Sequence, residues 1–142
     1  MHFRGQHNYV IDHKNRLAIP SALRECMDER IHGQAFIALP GPNDRLWLWP
    51  EKIFDAWVSQ RGSSLLAEEE VLDFERLIFS QSAKLPVDGS GRVRLPDWMT
   101  KRFRLSGSVV IVGNKDHLEL YPPEEWQAEE QRLVPATADP YR

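Results

Sequence analysis

Two aspartates and two arginines are spaced so that each pair can close a tight polar loop and leave a guanidinium at its foot: Asp12-His-Lys-Asn-Arg16 and Asp88-Gly-Ser-Gly-Arg92. Three residues separate acid from base, the length of a hairpin loop whose last residue commonly needs the left-handed region. Asn15 and Gly91 hold that position, and both types tolerate it, while Gly89 gives the second loop further freedom. An aspartate ahead of such a loop accepts hydrogen bonds from the loop's own N–H groups, so Asp12 and Asp88 are expected to fix its shape. An arginine behind it offers a permanently charged fork of five donors that suits phosphate oxygens or the O6 and N7 acceptors of guanine. Arg16 and Arg92 are therefore the expected contacts to nucleic acid. The plainer reading, an ion pair that only closes the turn, stays open on the loop residues alone, although exposed pairs contribute only about 0–1 kcal/mol.

Charge distribution favours the anion-binding reading. The 142 residues carry a formal net charge of −3, which by itself argues against a nucleic-acid partner. The average conceals segregation. Residues 1–24 hold Arg4, Lys14, Arg16 and Arg24 against Asp12 alone, and residues 84–104 hold Lys84, Arg92, Arg94, Lys101, Arg102 and Arg104 against Asp88 and Asp97. The acids collect elsewhere, in Glu68-Glu69-Glu70, Asp73 and Glu75 and in Glu124, Glu125, Glu129 and Glu130. A positive face on a negative remainder follows, with Lys14, Arg4, Arg94 and Lys84 clustered around the loop-bearing strands.

The two loops belong to an internal repeat. An offset of 76 residues aligns Phe3 with Phe79, Asp12 with Asp88, Arg16 with Arg92 and Pro20 with Pro96, and Tyr9, Ile11, Leu17 and Ile19 with Leu85, Val87, Val93 and Leu95. After a four-residue contraction the offset is 72, and Gly41, Asp44, Leu46, Leu48 and Pro50 meet Gly113, Asp116, Leu118, Leu120 and Pro122. Two copies at this period fit a pseudo-twofold arrangement better than an array.

Each copy reads as a hairpin around the loop, with strands at Tyr9–Ile11 and Leu17–Ile19, and at Leu85–Val87 and Val93–Leu95. Ser21 and Asp97 stand where a helix N-cap belongs, ahead of short helices at Ala22–Glu25 and Trp98–Lys101. A second hairpin follows, Ala35–Leu39 with Leu46–Trp49 and Ser108–Val112 with Leu118–Tyr121. A helix closes each copy after Pro50 or Pro122. An amphipathic helix near 67–79 joins the halves. A unit of about 50 residues cannot bury a core alone, so the copies should share one. The expected fold is α+β: two tandem βαβ-hairpin repeats interlocked into one small swapped-hairpin barrel with peripheral helices. Residues 1–58 form the first unit, 59–78 the helical connector, 79–130 the second unit and 131–142 a loose C-terminal tail.

Other classes find little support. No apolar run approaches the ~20 residues of a membrane span, and Met1–His7 lacks a signal-type apolar stretch, so a cytoplasmic protein with no membrane partner is expected. Cys26, the single cysteine, with His7, His13 or His32 is the only set resembling a Cys–His nucleophile, and a cysteine packed as a small hydrophobe is the commoner case; no catalytic residues, hence no enzyme, are expected. His2, His7 and His13 match no standard ligand spacing, so no metal or cofactor is assigned. Gly89-Ser-Gly91 is not a strand-to-helix phosphate loop, and no small-molecule substrate is indicated. Trp47, Trp49, Trp57, Trp98 and Trp126 are expected to fill core or subunit contacts.

Phe3-Arg4-Gly5, the run from Asp12 through Pro20 with Leu23-Arg24-Glu25, Leu48-Trp49-Pro50, and Asp88 through Pro96 together resemble the MraZ family, over nearly the whole chain. The resemblance implies AbrB-like swapped-hairpin units, here both in one chain, and a DNA-binding regulator on the nucleoid. It implies repression of the protein's own division and cell-wall gene cluster through short direct repeats in the promoter, and assembly into a homo-oligomeric ring. The motif positions carry over to Asp12, Arg16, Asp88 and Arg92, and Asn15 replaces the family's usual glycine. A ring would raise the affinity of individually weak loops through effective concentration. The different-class alternative is an oligomeric scaffold or protein-interaction module whose loops are only structural.

Overall fold

The computed structural model describes residues 2–136. Its strands are β1 (Gln6–Val10), β2 (Arg16–Ala18), β3 (Ala35–Gly41), β4 (Arg45–Pro50), β5 (Ala83–Pro86), β6 (Arg92–Arg94), β7 (Ser108–Asn114) and β8 (His117–Tyr121). Six of them form an antiparallel sheet in the order β1-β7-β8-β4-β3-β5, and β2 pairs with β6 in a separate ladder. Exchanging the repeats reverses this order and leaves it unchanged. The duplication in the sequence is thus a pseudo-twofold axis in the fold, running between β4 and β8.

Pairing across the repeats corrects the expected first hairpins. β1 is bonded to β7 and β2 to β6, so the legs of the first loop part company and each finds its partner in the other copy; β5 and β6 do the same with β3 and β2. Burial explains the exchange. Without β1, the apolar stretch Val109-Val110-Ile111 of β7 would lie at an open sheet edge. The hairpins β3–β4 and β7–β8 form where the spacing placed them. Among the described strands no closed barrel results, because β1 and β5 remain as edges of an open sheet.

Helices are α1 (Ser21–Arg24), α2 (Glu29–His32), α3 (Glu51–Arg61), α4 (Glu69–Ser80), α5 (Asp97–Arg102) and α6 (Pro123–Ala136). The cap of α1 is Pro20 and that of α5 is Pro96, each with ψ near 140° and no side-chain cap bond, so Ser21 and Asp97 are the first helical residues rather than caps. The fixed φ of proline starts the helix one residue early. α2 is a short helix beyond those expected from the sequence, and Asp28 caps it by accepting from the Arg30 N–H. α4 takes the place of the expected connector helix, and α6 runs through the start of the expected tail to Ala136; residues 137–142 lie outside the described residues.

One face of the sheet carries the main core. Phe36, Leu46, Leu48, Ile111, Leu118 and Leu120 from the sheet pack with Leu17, Ile19, Val93 and Leu95, so the β2–β6 ladder lies over the same core as both repeats' long strands. Burying each such side chain contributes roughly 1.5–3 kcal/mol. Strand alternation sends Ile37 and Leu39 to the other face, where Phe54 of α3 covers them.

Candidate nucleic-acid interface

The two loops have the same internal bonding. Asp12 Oδ1 accepts from the Lys14 and Arg16 N–H groups, both at 2.9 Å, and its Oδ2 accepts from Arg16 Nε at 2.7 Å. In the second loop Asp88 Oδ1 accepts from the Ser90 N–H at 2.8 Å and the Arg92 N–H at 3.0 Å, and Oδ2 from Arg92 Nε at 3.3 Å. The backbone closes each turn identically, with Asp12 donating to the Arg16 carbonyl and Asp88 to that of Arg92. Asn15 (φ 62°) and Gly91 (φ 78°) are left-handed, whereas Gly89 is not. The ion pairs use only Nε, so both terminal nitrogens of each guanidinium stay available to a ligand.

These contacts also set the charge state. The Arg16 N–H above all holds the Asp12 carboxyl down to about 2, with the Arg16 guanidinium and the Lys14 N–H reinforcing it against the opposing effect of burial. Asp88 is held below the usual carboxylate range in the same way, chiefly by the Arg92 N–H. Both acids are ionised at neutral pH and lock their loops.

The β2–β6 ladder then brings the loops together. Arg16 stands opposite Arg94, Leu17 opposite Val93 and Ala18 opposite Arg92. The Ile19 N–H donates to the Gly91 carbonyl at 2.9 Å, and the Leu95 N–H donates to the Asn15 carbonyl at 2.8 Å. Each loop is therefore tied to the strand end of the other copy. Because residues across and two along a ladder share a face, Arg16, Arg92 and Arg94 lie on one side and the buried Leu17 and Val93 on the other. Diagonal partners such as Arg16 and Arg92 are about 7–8 Å apart in such a ladder.

The remaining candidates divide. Lys14, His13, Asn15, Lys84 and Arg94 line one recess beside the first loop. Lys84 is partly neutralised there by Glu51 Oε1 at 2.6 Å, the bond that also raises its pKa. Arg4 is not part of this group. Its neighbour Phe3 bridges to Lys115 at the tip of β7–β8, so Arg4 lies at the opposite end of β1 from the loop, roughly 20–25 Å away at about 3.3 Å per residue. Sequence proximity to Asp12 misleads because the intervening strand is extended.

The Cys26 thiol faces backbone carbonyls, that of Ala22 at 3.4 Å and that of His2 at 3.8 Å, and among the described residues no histidine ring is hydrogen-bonded to it. Among the described residues, no group of three or more His, Cys, Asp or Glu is arranged to hold a metal ion, and no helix is long and apolar enough to cross a membrane.

Two features escaped the sequence reading. On the sheet face away from the main core, Trp47 stands opposite Glu119 across β4–β8. His117 stacks on Trp47 at 4.0 Å and on Trp49 at 4.7 Å, and bonds to Glu119 at 2.7 Å. The second is Arg24. Its Nε donates to the Ile19 carbonyl at 2.9 Å, and a Cβ placed on Gly91 would stand 2.6 Å from its guanidinium carbon. The repeat offset, which sets Arg24 against Thr100, was the available signal.

Comparison with known proteins gives a consistent family. The chain matches the family model described as "MraZ protein, putative antitoxin-like" over residues 2–75 and 78–139. It is similar to the transcriptional regulator MraZ of Neisseria gonorrhoeae, 32% identical over 128 residues that cover 89% of this chain and 84% of the relative. The protein of the same name from Heliobacterium modesticaldum is 27% identical over 134 residues, covering 94% and 90%. That of Roseiflexus sp. is 28% identical over 125 residues, covering 88% and 84%.

Proposed function

The chain belongs to the MraZ family, and on that premise we propose that it is a transcription regulator that binds double-stranded promoter DNA through its two Asp–Arg loops. One observation carries the reading: the β2–β6 ladder places Arg16 and Arg92 on a single face, each with its terminal nitrogens available and its loop locked by an ionised aspartate. Fixed loops spend little entropy on ordering at the moment of contact. Lys14 and Arg94 add phosphate attraction beside the first loop. The curated relatives are named transcriptional regulators, which supports the role.

The finer reading is repression of its own division and cell-wall gene cluster, through direct repeats bound by a ring of protomers on the nucleoid. Units 1–58 and 79–130 each contribute one loop. Self-assembly is supported by an apolar face on α3 and α4, where Trp57, Val71, Phe74, Leu77 and Phe79 are left between 37% and 51% exposed. Monomeric soluble proteins rarely leave large apolar patches uncovered, and a second copy of this chain is the proposed cover.

The test is binding to a duplex from the protein's own upstream region across a salt series, with wild type and the Arg16→Ala/Arg92→Ala double variant. Saturable binding that weakens with salt and disappears in the folded double variant is the expected result. Equal binding by both proteins, or none by either, overturns the loop interface and leaves the scaffold reading.

A further inference from the structure

The pseudo-twofold axis makes the loops equivalent in backbone but not in charge. Beside the first loop stand Lys14, Lys84 and Arg94; the same positions beside the second loop are Ser90, Asn8 and Ala18. All three cations are missing from the second side. In their place a guanidinium arrives from the other repeat: Arg24 of α1, whose own counterpart in α5 is the uncharged Thr100.

We propose that Arg24 is a DNA-phosphate contact of the second loop, supplied in trans by the first repeat, and that Gly91 is the residue that lets it dock there. This rests on the loop interface proposed above. The path is short and fully bonded: Arg24 Nε donates to the Ile19 carbonyl, and the Ile19 N–H donates to the Gly91 carbonyl. A Cβ at Gly91 would lie 2.6 Å from Cζ and Nε of Arg24 and 2.9 Å from Nη1, so the guanidinium occupies the space that a side chain at 91 would take. The first loop solves the same space differently. Asn15 fills it with its own amide, which reaches Asp97 Oδ1 at 3.4 Å, and Lys14 carries the charge.

Arg24 has no carboxylate partner among the described residues, and its residue surface is exposed. Two acids share its recess, Asp88 and Glu29. Asp88 is committed to Ser90 and Arg92, and Glu29 accepts from the Gln34 amide. Among the described residues neither acid forms a hydrogen bond or an ion pair with Arg24. A guanidinium pinned through Nε with free terminal nitrogens is suited to a phosphate oxygen rather than to a structural ion pair.

The experiment is a salt titration of binding to the upstream duplex with Arg24→Gln, Arg24→Lys and the Arg16→Ala/Arg92→Ala variant beside wild type. Loss of one phosphate contact lowers the slope of log K against log salt by about 0.9 for each bound protomer, and binding should weaken about tenfold per protomer at fixed salt. Arg24→Lys should keep the wild-type slope. A purely structural Arg24 would leave the slope of Arg24→Gln unchanged, and that result overturns the proposal. Should Arg24→Gln fail to fold, phenylglyoxal modification of the wild-type protein decides: Arg24 is expected to be shielded by the duplex, and equal modification with and without DNA overturns the assignment. Loss of binding in the Arg16/Arg92 variant with wild-type behaviour of Arg24→Gln rejects Arg24 alone. Unchanged binding in both rejects the interface beneath it.

Discussion

Leu17 and Val93 face each other at the centre of the β2–β6 ladder, both essentially fully buried, and they are the same position of the two repeats. The pseudo-twofold axis passes between them, directly under the two loops. It leaves the molecule through the Trp47–Glu119 pair, where the equivalence of the copies is broken by chemistry.

Leu17→Ala should therefore cost about 2–5 kcal/mol, the range for a buried leucine whose cavity cannot fully collapse. Because the residue supports both loops, DNA affinity should fall at temperatures where the variant is still mostly folded. Urea denaturation followed by binding at a fixed folded fraction checks this; a loss near that of an exposed substitution contradicts the assigned packing.

Asn15→Ala and Gly91→Ala test the left-handed positions. Forcing an alanine there costs about 1–2 kcal/mol. Gly91→Ala also displaces the guanidinium end of Arg24, a flexible side chain, so the two variants should lose similar stability in chemical denaturation while Gly91→Ala weakens DNA binding further. Equal DNA affinity of the two variants would mean that the position of Arg24 does not matter to binding.

Acid should open the loops only far below neutrality. Asp12 and Asp88 have depressed folded-state values, so their contribution is present above the ordinary carboxylate value near 3.9 and is lost as pH falls through the folded value, about 2 for Asp12. Between pH 5 and 8 the titration of these two acids should leave DNA affinity unchanged. NMR titration of the two side-chain carboxyls reads the shifts directly, and ordinary values for both would contradict the loop geometry.

His117 has the opposite sign. Burial pulls its pKa down, but the hydrogen bonds and charges of Glu119 and Asp116 outweigh it, and the net shift is upward. Its contribution to stability is full below the unfolded value near 6.5 and fades as pH rises through the folded value. Wild type should thus lose more stability than His117→Gln between pH 6 and pH 9. Parallel pH dependence in the two proteins would rule this out.

Phe74→Glu with Leu77→Glu places charge on the exposed face of α4. Folding should survive, since neither side chain is buried, while self-association in sedimentation velocity should be lost and affinity for multi-site promoter DNA should drop with it. Retained assembly would move the subunit contact elsewhere.

The loops were legible because turn chemistry is local. Asp, a left-handed residue and Arg at fixed spacing determine the shape whatever surrounds them, and the offsets of 76 and 72 already encode which residues are equivalent. Strand partners were not legible. Tyr9-Val10-Ile11 and Leu17-Ala18-Ile19 have the same alternation whether they pair with each other or with the other copy. Only the competition for burial of β7 and β3 decides for exchange. Arg4 and Arg24 show the same limit from both sides: the residue close in sequence to Asp12 is carried away by an extended strand, and the one assigned no role lands on the distant loop.

The sequence by itself determined the repeat and the two locked Asp–Arg turns, because the first rests on matched residue types at a fixed offset and the second on residue type and short spacing. The segregation of charge along the chain, by contrast, is partly undone by folding, which pairs Lys84 with Glu51, Arg102 with Asp44 and Arg104 with Glu125. The tertiary structure decided which strands exchange, which arginines share a face and which copy supplies Arg24, because those follow from burying one apolar core between two units too small to bury their own.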